Sequence, residues 1–162
     1  TPGFERNMSD ELIQGLAKNG GVMMINFGGA FLDSAYTAGT AQVREHVVNW
    51  LAENKLSRSD PRAQQYIEEY TAKFTPFPTV ARVADHFDHV VSLVGIDYVG
   101  LGSDYDGVGD SLPTGLKDVS MFPNLFSELL RRGYSKEDLE KISYKNVFRV
   151  WQAVEDFAAS QK

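Results

Sequence analysis

Two aspartates stand two residues apart in the run Gly100-Leu-Gly-Ser-Asp-Tyr-Asp-Gly-Val108, at positions 104 and 106, just past a short glycine-rich apolar stretch. The C-terminal end of such a strand is where α/β folds gather catalytic groups. Its glycines let the backbone turn sharply or approach a ligand without a β-carbon clash. A carboxylate held there, at Asp104 or Asp106, is suited to ligate a metal or to move protons as a general acid/base. The plainer reading is that both make local turn hydrogen bonds, as Asp readily does after a strand. A calcium loop built from Asp104, Asp106 and Asp110 is a third reading. It fits less well, because Val108 and Gly115 fall where an oxygen ligand and the closing Glu belong.

The chain has three histidines. His86 and His89 have a spacing that can present two imidazoles to one metal from a helix. They lie opposite the apolar stripe of that helix, beside Asp85 and Asp88, so a solvated face with ion pairs is the simpler expectation. His86-Phe-Asp88 spells His-x-Asp, but on a helix such a pair diverges by about 200° and cannot share an ion. His46 reads as a lone helix-surface residue. Arg6, ahead of the first apolar stripe, has the planar fork that clamps a carboxylate bidentately; a solvated arginine is the alternative.

Positioning these groups falls to an alternation of helices and strands. Met8 to Lys18 is expected to be helical, capped by Asn7 and stopped by Gly20-Gly21. The continuous apolar run Val22 to Phe27 suits a strand covered on both faces, as in parallel sheets. Helices are expected from Thr40 to about Leu56, from Pro61 to Phe74 and from Val80 to Val94. A second strand, Tyr98 to Ser103, precedes the acidic loop. The remainder reads as helical, with Ser135 to Asp138 as a capping box. Met23, Met24, Phe27 and the aromatics of the last helix are core candidates. Two parallel strands joined by crossover helices leave open edges, and this order belongs to larger sheets or eight-stranded barrels.

With 162 residues, 43% apolar and 23% charged, the chain has the composition of one globular domain. The net charge of −6, with scattered Lys and Arg, gives no footprint for nucleic acid. No apolar run approaches the roughly 20 residues of a membrane helix. The absence of cysteine excludes disulfides and thiolate chemistry and leaves the compartment open.

Read together, Arg6-Asn-Met-Ser-Asp-Glu-Leu12, Gly21 to Phe27, His86-Phe-Asp-His89, Gly95 to Gly107, Thr114 to Ser120, Pro123 to Gly133 and Asn146-Val-Phe-Arg-Val-Trp151 resemble the membrane (renal) dipeptidase family. The resemblance implies an α/β fold, the last two strand-helix units of a (β/α)8 TIM barrel. Residues 1–162 would form a single C-terminal segment with a helical insertion at about 36–76. It implies a zinc-dependent dipeptidase whose two Zn2+ are held by side chains upstream of Thr1, with no metal ligand in this chain. Asp104 matches the family's catalytic aspartate and Arg6 the arginine that binds the dipeptide's terminal carboxylate. Asp106 matches a neighbouring acidic position without an assigned role, and Phe31 stands where relatives carry Tyr. The chain alone is then expected to be inactive and to need the N-terminal part of the barrel. A non-catalytic half-barrel that covers its edges with another chain, or with a second copy as a homodimer, is the alternative.

Overall fold

The computed structural model describes residues 3–161. Helix α1 (Asp10–Lys18) leads into strand β1 (Met23–Asn26), followed by the short α2 (Gly29–Leu32), the long α3 (Ser34–Glu53), α4 (Pro61–Phe74) and α5 (Val80–Val94). Strand β2 (Val99–Ser103) comes next, then α6 (Phe122–Arg131), α7 (Lys136–Glu140), a π-helical turn at Lys141–Lys145 and α8 (Asn146–Ser160).

The two strands pair in parallel, as the alternation of elements predicts, and each has one strand neighbour among the described residues. Their register runs Met23 to Val99, Met24 to Gly100 and Ile25 to Leu101, then skips Gly102 so that Asn26 meets Ser103. Only glycine fits at the skipped position, because a β-carbon on Gly102 would come within 2.9 Å of the Met24 and Ile25 backbones. Such a bulge re-aims the chain just before Asp104.

One strand face carries the core. Ile25, Phe27 and Val99 pack with Val83, Ala84, Phe87 and Val90 of α5, Leu125 and Leu129 of α6, and Ile142. Period-two alternation puts Met24 and Asn26 on the opposite face. Met24, a core candidate by composition, is 40% exposed. A row on the last helix departs from expectation in the same way: Phe148, Trp151, Val154 and Phe157 are all more than half exposed. Helical periodicity records which face is apolar, not whether anything lies against it.

Two helix starts differ from the sequence reading. The α1 cap is Ser9, whose hydroxyl accepts from the Leu12 N–H, whereas Asn7 donates to the Phe31 carbonyl at 2.9 Å. Helix α3 begins at Ser34, capped by the Asp33 carboxylate, six residues before Thr40. Gly39 sits inside α3 where any β-carbon would run into the Pro76 ring.

Candidate functional site

Asp104 leaves β2 through a left-handed backbone, with φ of 26° at Ser103 and 66° at Asp104. Aspartate tolerates that conformation better than most residues. The bend carries the half-buried carboxylate across to the end of β1, where Asn26 Nδ2 donates to Asp104 Oδ2 at 2.8 Å. The Gly107 N–H closes a turn on the Asp104 carbonyl at 3.1 Å. Asp106 and Asp110 are exposed on the loop beyond. The loop is anchored on the β1 side as well: a β-carbon on Gly28 would press on both Val108 and the Phe31 ring.

The exposed Arg6 places its guanidinium 4.8 Å from the centroid of the Phe31 ring, a cation–π contact. Phe4 meets the same ring edge-on at 5.0 Å. Arg6, Phe31 and Asn26 line one cleft of about 1110 Å³ along β1, together with His86 and His89. Arg6 and Asn26 thus share this cleft, and Asp104, which is not among its lining residues, meets it through its bond to Asn26.

The histidines go elsewhere. His86 is half-buried, with Nε2 2.9 Å from the Leu32 carbonyl, rather than on a solvated face. Burial is the main reason its pKa lies below the ordinary histidine value. His89 bonds to Asp10 at 2.8 Å. Asp88 accepts from Arg132 and from the Tyr134 hydroxyl, which ties α5 to α6. His46 is not the lone surface residue expected: it lies 2.7 Å from the Tyr66 hydroxyl and stacks on Tyr70, with ring centroids 4.0 Å apart. Among the described residues no three His, Cys, Asp or Glu side chains converge as a metal site. The residues present therefore do not fit a metal centre by themselves, and Asp104, Asp106 and Asp110 form no calcium cage.

Sequence reasoning passed over Asn26 and Gly107. Asn26 is the lone polar side chain in Val22-Met-Met-Ile-Asn-Phe27, and that was its available signal.

A parallel strand pair with a carboxylate turned across its C-terminal end has the layout of a site at the strand ends of a parallel α/β fold. Comparison makes the class specific: residues 3–162 match the family model described as membrane dipeptidase (peptidase family M19). The chain belongs to that family. It is 36% identical over 157 residues to dipeptidase tcpJ of Claviceps purpurea, covering 97% of this chain and 28% of that protein. The crystal structure of the probable dipeptidase PvdM from Pseudomonas aeruginosa superposes with a TM-score of 0.64 at 27% identity, over 91% of this chain and 40% of that one. A metallopeptidase from Rhodobacter sphaeroides, solved with a phosphinate mimic of the dipeptide L-Ala-D-Ala, shares the fold at a TM-score of 0.59 and 22% identity, over 88% of this chain and 30% of that one. The chain thus spans less than a third of the curated relative's length.

Proposed function

We propose that this chain is the part of a zinc-dependent dipeptidase that contributes the catalytic carboxylate, Asp104, and the arginine that binds the substrate's terminal carboxylate, Arg6. The observation that carries the proposal is the Asn26–Asp104 pair at the end of two parallel strands, in a member of this dipeptidase family. The two strands correspond to the last two strand-helix units of a (β/α)8 barrel. Their unpartnered edges and the apolar row on α8 are where the other strands and helices would pack.

Two Zn2+ ions, held by polypeptide other than the described residues, would supply activation of the attacking water. What residues of this chain do is narrower. The Asp104 carboxylate takes up the proton that the attacking water loses and delivers it to the nitrogen of the leaving amine as the C–N bond breaks; the Arg6 guanidinium, cushioned on Phe31, pairs with the dipeptide's carboxylate. Without that activation water is far too weak an acid, with a pKa near 15.7, for one aspartate to make a nucleophile of it at neutral pH. The isolated chain is therefore inactive.

Mixing the chain with the upstream segment of its barrel tests this. Uptake of two zinc ions together with cleavage of a dipeptide such as Gly-Leu supports the proposal. A mixture that forms a stable complex, loads zinc and still hydrolyses nothing supports the non-catalytic half-barrel instead.

A further inference from the structure

Asn26 holds two bonds that together fix which way its amide faces. Its Oδ1 accepts from the Gly28 N–H at 2.7 Å, and its Nδ2 donates to Asp104 Oδ2 at 2.8 Å. A backbone N–H can only donate, so it selects the oxygen end of the amide and leaves the NH2 end for the carboxylate. An ionised carboxylate accepts and does not donate, so both neighbours demand the same orientation.

The carboxylate is constrained from the other side too. Its backbone is left-handed at φ 66°, and Gly107 leaves room beside Oδ1 that a β-carbon would fill. One oxygen of Asp104 is thus engaged by a neutral amide that cannot exchange a proton with it, while the other lies over a glycine.

We propose that Asn26 is a positioning residue: it engages Oδ2 of Asp104 and so leaves Oδ1 as the oxygen that carries the proton in dipeptide hydrolysis. The inference rests on the reading of Asp104 as the catalytic carboxylate. It assigns work to a side chain that carries no exchangeable acid proton of its own, and it explains why a polar residue ends an otherwise apolar strand.

The test compares Asn26→Ala, Asp104→Asn and the unaltered residues in the complete zinc-loaded dipeptidase, measuring kcat, KM, zinc content and Tm. Asn26→Ala is expected to lower kcat by about 100-fold, the effect of a misplaced reacting group, with KM, zinc content and Tm nearly unchanged. Asp104→Asn is expected to abolish turnover. Loss with Asp104→Asn but wild-type kcat in Asn26→Ala overturns the positioning role and leaves the function standing, as does a kcat that falls only in proportion to folded, metal-loaded enzyme. Full turnover in Asp104→Asn overturns the function and this inference with it. In case Asn26→Ala does not fold, the side-chain amide protons of Asn26 are followed by NMR in the 162-residue chain. A downfield resonance that moves when Asp104 becomes Asn is expected; an unmoved one overturns the bond.

Discussion

Gly107 lies so close beneath Asp104 that a β-carbon at 107 would collide with the carboxylate oxygen Oδ1. The obstacle would be the far end of a side chain rather than packed backbone, and position 107 is exposed. Gly107→Ala should therefore swing the carboxylate away while leaving the turn intact. The expected outcome is a stability change within about 1 kcal/mol, read by urea unfolding, beside a roughly 10- to 100-fold loss of kcat in the complete enzyme.

Asn146, at the start of α8, is buried and donates from Nδ2 to the carbonyls of Ile96 and Val99, both at 2.8 Å. It stitches the last helix to the turn that enters β2. Replacement by Ala would strand two carbonyls in the interior and open a small void. Asn146→Ala is expected to cost about 2–4 kcal/mol in chemical denaturation, well above the effect of a surface change.

His86 couples stability to pH. Burial lowers its folded pKa below the ordinary value of 6.5, so the unfolded chain binds the proton more readily. Its contribution is complete above pH 6.5 and is lost as pH falls from there through the lower folded pKa. Paired carboxylates respond in a more acidic range: the hydrogen bonds from Arg131 and Arg132 hold Glu128 at about 2. Comparing Tm from pH 7.5 down to 5.5 for the wild type and His86→Gln should show a fall in the first that is flattened in the second.

The Tyr105 hydroxyl is buried with no hydrogen-bond partner among the described residues, and burial with the nearby Asp118 pushes its pKa up to about 12. The ring itself packs edge-on against Phe27 at 5.9 Å. Removing the oxygen keeps that packing and relieves an unmet polar group. Tyr105→Phe is expected to be neutral or to stabilise by up to about 1–2 kcal/mol, measured by thermal unfolding.

Local rules made much of the fold legible. Pro61 and Phe74 bound α4 as the sequence reads, because Asp60 caps it and Pro61 suits its first turn. Val80 and Val94 bound α5 for the same reason, with Thr79 before and Gly95 after. The place of Asp104, just past a glycine-rich strand, also reads directly from the sequence and matches the end of β2 at Ser103. What escaped depends on contacts distant in sequence. Gly39 sits within α3 because the Pro76 ring lies against it, and Asn26 ends an apolar strand where Asp104 arrives from 78 residues away. The exposed row Phe148, Trp151, Val154 and Phe157 shows the opposite limit, an apolar face whose cover is not among the described residues.

In the proposed enzyme Asp104 works on a metal site whose ligands lie outside the described residues. Anomalous diffraction at the zinc edge from the complete enzyme tests it directly. Two zinc peaks should appear on the side of the Asp104 carboxylate, ligated by residues outside 3–161. Zinc coordinated by His86 or His89, or peaks on the far side of the strands from Asp104, would contradict it.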